Sequence, residues 1–220
     1  MNLSQRTCAA WYRPVRVLMV FAACVVPVGS KAGLSAQDRL PPSIILISVE
    51  TLRADHLSCY GYGGLRTPHI DAMTVGGTLF TQVNTQVPLT LPAHVSLLTS
   101  TYPFAKGVED NGQQLGDKAV TLATVLKARG YRTAAFVGGF VLDGRFGLGQ
   151  GFDVYDSPFN GKRHAGKDPG DVKRSAEDVV GSALAWLDQN SNQPLFLILH
   201  LYDLHTPYEN SRAMDPLSWL

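Results

Sequence analysis

Two continuous apolar runs and one striped segment dominate the pattern of hydrophobic and polar positions. Ser43 to Val49 contains Ile44-Ile45-Leu46-Ile47, and Leu195 to Leu201 is apolar throughout except at His200. Runs of this length between turn residues predict strands, the second a central strand covered on both faces. Arg132 to Val137 predicts another strand. Helix patterns alternate with these. Thr67-Pro68 opens a short helix to about Val75, with Thr as N-cap and Pro in the first turn. Leu91 to Thr99 and Thr121 to Arg129 predict further helices, the latter closed by Gly130. Between Asp171 and Leu187 the residues Ala176, Val179, Val180, Ala183, Leu184 and Leu187 form one stripe, as on a helix that covers a sheet. Thr78 to Val83 predicts a strand, and the glycine-rich stretch Gly139 to Lys167 a long surface loop. Strands alternating with helices make an α/β fold: a mostly parallel sheet with helices on both faces.

Composition narrows the picture. A chain of 220 residues with 45% hydrophobic side chains can build one domain of ordinary size. Nineteen Lys and Arg against eighteen Asp and Glu leave no charge bias, and Lys162-Arg163-His164 and Lys173-Arg174 read as solvated surface, so no nucleic acid partner is expected. At the N-terminus Arg6, Arg13 and Arg16 precede an apolar run from Val17 to Val28, followed by small residues to Ala36. Residues 1–36 thus predict an export signal, and a secreted or periplasmic protein. The run is short for crossing about 30 Å of hydrocarbon. A retained anchor or a lipoprotein signal at Cys24 stays open, and only a retained segment would make the membrane a partner. With the leader removed, Cys59 alone remains, so no intramolecular disulfide is possible. The cluster Gly147-Leu148-Gly149-Gln150-Gly151 meets neither dinucleotide nor P-loop spacing and does not open a helix.

The candidate chemistry lies at two points. Glu50 follows the first strand directly, at the sheet edge where open α/β folds bind ligands. Thr90 precedes Leu91-Pro92 and a helix-compatible run, which makes it the N-cap or its neighbour. A carboxylate and a hydroxyl so placed could share a metal ion that turns the hydroxyl into a nucleophile. Pattern alone also permits a solvated loop acid and an ordinary cap. Asn111, before Gly112, reads either as a turn residue or as a donor to an anion. His205 lies in a polar turn past the last strand, and His200 inside that strand reads as a satisfied core histidine.

The motifs carry a resemblance. Glu50, Cys59-Tyr60-Gly61-Tyr62, Thr67-Pro68-His69-Ile70-Asp71, Pro88-Leu89-Thr90-Leu91-Pro92-Ala93-His94, Leu97 to Pro103 and His200 to Pro207 occur in the order used by sulfatase-like enzymes of the alkaline phosphatase superfamily. Residues 42–220 therefore resemble the N-terminal part of such an enzyme. Sulfatases carry Cys or Ser, oxidised to formylglycine, where this chain has Thr90, and an Arg where it has His94. Threonine cannot give that aldehyde, because its β-carbon bears a methyl group. Sulfatases also tend to pair two aspartates where Glu50-Thr51 stands. The Glu and Thr pattern, with Val49-Glu50-Thr51-Leu52-Arg53-Ala54-Asp55-His56, is similar to lipoteichoic acid synthases and phosphoethanolamine transferases. That resemblance implies Glu50 and Thr90 as ligands of a divalent metal (manganese, zinc or calcium) and Thr90 as a nucleophile that becomes phosphorylated. It implies Asn111 as a donor to a non-bridging oxygen and His205 as the histidine facing the leaving group. Small-molecule or lipid-head-group esters are the implied substrates. The family's later Asp-His-Gly is absent from the 220 residues, so the expectation is an incomplete domain that carries half a metal site. The alternative is a catalytically silent fragment or a partner-binding relative.

Overall fold

A computed structural model describes residues 40–159 and 168–207. The export signal over residues 1–36, the basic cluster at 162–164 and the tail from residue 208 lie outside the described residues. Among those described, strands β1 (Ile44–Val49), β2 (Arg132–Val137), β3 (Val154–Asp156) and β4 (Leu195–Leu201) form one parallel sheet in the order β1-β4-β2-β3. Helices α1 (Pro68–Val75), α2 (Thr90–Thr99), α3 (Leu122–Lys127) and α4 (Ala176–Asn190) complete the regular elements.

The period-2 alternation of the two central strands sorts their side chains into two layers. Ala134, Phe136 and Leu197 pack against Val179 and Ala183 of α4 on one face. Ala135, Val137, Phe196 and Ile198 pack against Leu91, Val95 and Leu98 of α2 and Ala123 and Leu126 of α3 on the other. Each large side chain buried this way contributes roughly 1.5–3 kcal/mol. Strand β1 forms an edge, and Ile45 and Ile47 on its α4 side are 53% and 48% exposed. Caps fix where two of the helices begin. Ser175 accepts from Asp178 N–H ahead of α4, whose first turn holds Glu177 and Asp178 against the positive helix end. Thr121 and Thr124 form a reciprocal box at α3.

Three expectations change here. Thr78 to Val83 is irregular and exposed, and among the described residues no neighbouring strand takes up its backbone groups. Of the stretch expected as a surface loop, the described part, Gly139 to Phe159, is built into the fold: Val141, Leu142, Leu148 and Phe159 are buried in the main core, and Val154–Asp156 pairs with β2. Its glycines serve packing. Gly151 has φ +88°, and a Cβ there would collide with the Thr124 backbone. Helix α4 begins at Ala176 rather than Asp171, since Pro169–Asp171 forms a separate 3₁₀ turn.

Candidate active site

The site grows from strand parity. Leu46 packs on the α2 layer and Ser48, two residues on, bonds His94 of α2, so the next even position, Glu50, aims at the start of α2. On β4 the residues Phe196, Ile198 and His200 share that face, and register sets His200 beside Ser48. Glu50 N–H donates to Leu201 O at 2.9 Å, which continues the ladder one residue past β1 and fixes the turn carrying the carboxylate.

Thr90 is the first residue of α2, and Leu89 before it offers no side-chain cap. The Thr90 hydroxyl is therefore not spent on its own helix: Oγ1 donates to Glu50 Oε1 at 2.9 Å. Asn111 supplies the cap instead, its Oδ1 accepting from Leu91 N–H at 2.9 Å. A backbone donor requires the amide oxygen at that position, which leaves the Asn111 NH₂ group free to donate elsewhere.

Glu50 Oε2 lies 3.1 Å from His200 Nε2. A carboxylate only accepts, so Nε2 carries the proton. His200 is fully buried, and among the described residues its Nδ1 has no hydrogen-bond partner, which corrects the expectation of a satisfied core histidine. The ring borders a cavity of about 20 Å³ shared with Ser48 and His94. His94 packs edge-on at 5.2 Å. Its Nδ1–H donates to Thr90 O at 2.7 Å, so its Nε2 accepts from Ser48 Oγ at 3.0 Å. Both nitrogens sit deep although the residue keeps some accessible surface. Burial, reinforced by the neighbouring His200, pushes the His94 pKa down to about 4, against the opposing pull of the Thr90 carbonyl and Glu50. Burial alone would raise Glu50, but hydrogen bonds from His200 and Thr90 and the nearby imidazoles outweigh it, and its pKa lies below the ordinary value. The corner thus holds an ionised carboxylate aimed at a hydroxyl.

His205 stands apart from this cluster. Its ring stacks on Tyr202 at 4.5 Å, and Tyr202 in turn lies 5.5 Å from His200. His205 Nδ1–H donates to Thr206 O at 2.6 Å, which leaves Nε2 as the ring's available nitrogen. Lys173, read from sequence as solvated surface, donates from Nζ to the carbonyls of His205 (3.2 Å) and Pro207. Asp55 pairs with Arg53 and His56 stacks on Tyr62, away from the Glu50 corner. Cys59 is a half-buried free thiol.

A hard divalent cation takes oxygen donors such as the Glu50 carboxylate and the Thr90 hydroxyl. Among the described residues no third His, Cys, Asp or Glu joins a cluster that could hold an ion. The donor chemistry fits, for part of a coordination shell.

The sulfatase family profile matches residues 42–215. The chain belongs to the sulfatase family. Sulfatase relatives include steryl-sulfatase of Mus musculus, 36% identical over 105 residues that make up 43% of this chain and 17% of that protein. Arylsulfatase A of Homo sapiens is 37% identical over 42% of this chain and 20% of its own length. An ulvan-active sulfatase of Formosa agariphila is 30% identical over 60% of this chain and 26% of its own. The chain thus spans about a fifth of the length of the curated sulfatases it matches. The fold is shared with the phosphonate monoester hydrolase of Agrobacterium radiobacter, at TM-score 0.62 and 23% identity, over 76% of this chain and 42% of that one. A structure in complex with D-glucosamine-2-N,6-O-disulfate superposes at TM-score 0.60 and 23% identity, over 77% of this chain and 35% of that one. Sulfatase family members generally use a divalent metal ion.

Proposed function

We propose that this chain carries the nucleophile-bearing part of a hydrolase or transferase of sulfate or phosphate esters, with Thr90 as the nucleophile. The observation that carries the reading is the 2.9 Å bond between Thr90 Oγ1 and Glu50 Oε1 at the carboxyl edge of the sheet. The relatives supply the substrate class, being sulfatases and, among shared folds, a phosphonate monoester hydrolase. Threonine's extra methyl argues against a formylglycine route and for direct ester transfer to the hydroxyl.

The residues divide the work as follows. Thr90 Oγ1 forms a bond to phosphorus or sulfur as the bond to the leaving oxygen breaks, and the hydroxyl proton leaves toward Glu50 Oε1. Glu50, held ionised by His200 and Thr90, orients that hydroxyl. The N–H groups at the start of α2 face the incoming anion, although one of them, Leu91 N–H, is engaged by Asn111. The Asn111 NH₂ is the donor for a non-bridging oxygen. His205, with Nδ1–H fixed on Thr206 O, delivers a proton from Nε2 to the leaving oxygen when it is doubly protonated, then takes one from the water or alcohol that frees Thr90. Glu50 and Thr90 would hold a divalent ion, which when bound stabilises the threonine alkoxide and neutralises charge on the transferring group. An exported location, from the basic and apolar N-terminus, belongs to the same proposal.

One observation favours a second reading, a catalytically silent relative: among the described residues no group of three or more His, Cys, Asp and Glu is placed to hold an ion. Incubation with nitrophenyl phosphate, phosphodiester or sulfate plus manganese, zinc or calcium separates the two. The proposal expects slow turnover and a phosphate or sulfate mass on the peptide holding Thr90. An adduct on another residue refutes the nucleophile assignment, and no adduct with any ion establishes the silent reading.

A further inference from the structure

Thr51, next in sequence to Glu50, has φ +56°. Ser100 also lies in the left-handed region, but it closes α2, where such a residue commonly sits. A β-branched side chain in that conformation is crowded, and glycine or asparagine would satisfy the same backbone more easily. What threonine adds is a donor. Its Oγ1 donates to Leu204 O at 2.7 Å, between residues 153 positions apart. The bond lands on the turn that carries His205, whose own N–H donates back to Tyr202 O at 3.1 Å. Glu50 N–H meanwhile donates to Leu201 O. Two consecutive residues therefore anchor the exit of β4, one by extending the strand ladder and one by gripping the turn beyond it. Lys173 grips the same turn through the carbonyls of His205 and Pro207.

We infer that Thr51 is a positioning residue whose left-handed turn and hydroxyl bond couple the Glu50 turn to the Tyr202–Pro207 turn and so set the place of His205. The inference rests on the ester chemistry proposed above and deepens it. Thr51 touches no reacting atom. It acts because Glu50 and His205 sit in separate turns, and its hydroxyl ties one to the other. The bond also bears on the Glu-Thr pair that stands where sulfatases tend to pair aspartates. An ionised carboxylate only accepts hydrogen bonds, so it cannot donate to the Leu204 carbonyl as the hydroxyl does.

The test is amide hydrogen exchange at His205 in the whole chain, with T51V, T51S and T51G. T51V keeps the branched shape but loses the donor, and the His205 amide should exchange about fivefold faster, as expected for one lost hydrogen bond. T51S keeps the donor and should exchange like the unaltered chain. T51G relieves the crowded backbone, so its melting temperature should hold while the His205 amide exchanges as fast as in T51V. A T51V or T51G chain with unaltered exchange overturns the inference, as does T51S exchanging as fast as T51V. Should T51V fail to fold, T51G decides. In turnover assays kcat should fall in T51V with KM unchanged and recover in T51S; an unchanged kcat in T51V overturns the role. Exchange does not depend on turnover, so a failed Thr90 adduct and a failed Thr51 tether are separate results.

Discussion

Glu50 and His205 stand past the ends of neighbouring parallel strands, yet one is held from inside the fold and the other from outside. Glu50 is fixed by Thr90 from helix α2 and by His200 from the interior of β4, all within two hydrogen bonds of the core. His205 rides on a turn gripped by Thr51 and Lys173, with a stacked Tyr202 beneath it. Core packing sets the first geometry, so it persists as long as the domain folds. Local tethers set the second, so it can be lost while the domain stays intact. Under the proposed chemistry, a nucleophile held rigidly and a proton carrier held by tethers would be a workable division, because proton transfer tolerates a mobile partner better than bond formation to phosphorus or sulfur does.

The harshest test of the rigid corner is Thr90→Ala. It removes the hydroxyl and one prospective ion donor while leaving the first turn of α2 helical. Turnover and adduct should fall by at least about 10³-fold. Circular dichroism and melting should change little, and Thr90→Ser should keep the adduct. Full activity in the alanine variant would place the nucleophile elsewhere and remove the reason to treat this corner as the site.

Acid should loosen the corner before the rest of the fold. His94 is held near 4 in the folded chain against an ordinary 6.5, so the folded state binds fewer protons between those values. Its contribution is fully present above 6.5 and is lost as pH falls from there toward 4, worth about 2–3 kcal/mol. Glu50 acts in the same direction lower down: its lowered value stabilises the fold above the ordinary carboxylate range, and that stability is lost as pH falls through the folded value. Urea midpoints measured between pH 7 and 4 should drop steadily, and His94→Gln should flatten the upper half of that drop. A flat profile in the unaltered chain would mean that the imidazole is not held neutral.

Much of this geometry was readable from the chain, and the unread part has a physical pattern. β2 and β4 run over the expected residues, because buried central strands must be apolar on both faces and their ends coincide with turns. Glu50 and Thr90 lie at the edges of a strand and a helix, as the sequence pattern places them. His200 reads from sequence as a satisfied core residue, although it shares the parity of Phe196 and Ile198. What places it on Glu50 is the β1–β4 register, and sequence does not supply a register between strands 150 residues apart. The buried path through Val141, Leu142 and Leu148 reads as a surface loop because its apolar residues follow neither helical nor strand spacing: Val141 and Leu142 lie in one short 3₁₀ turn and Leu148 just past a second. Thr78 to Val83 shows the converse, an apparent strand pattern with no neighbour to pair with among the described residues.

Removing one histidine from each region sharpens the contrast. His200→Ala leaves a mostly buried Glu50 oxygen without its donor and opens space beside the existing cavity, at a cost of about 1–3 kcal/mol for the stranded acceptor. His205→Ala removes a more accessible ring bonded to its own neighbour's carbonyl, and should cost no more than about 0.5 kcal/mol. Chemical denaturation of the two variants decides. Equal losses would mean that the His205 turn is as integral to the fold as the corner.

The smallest expected effect separates two roles of Asn111. Its Oδ1 holds the Leu91 N–H at the start of α2 while its NH₂ group remains the candidate anion donor. Asn111→Ala loses both roles, and the lost cap should cost about 1 kcal/mol. Asn111→Asp keeps an acceptor for Leu91 N–H and adds negative charge at the positive end of the helix, which offsets the change by about 0.3–1 kcal/mol. The aspartate variant should therefore melt at or slightly above the unaltered chain. It has nevertheless exchanged a donor for a charge facing an incoming anion, so KM for a nitrophenyl phosphodiester should rise more than in the alanine variant. If the two variants bind substrate alike, Asn111 serves the helix alone and the non-bridging oxygen must find its donor elsewhere.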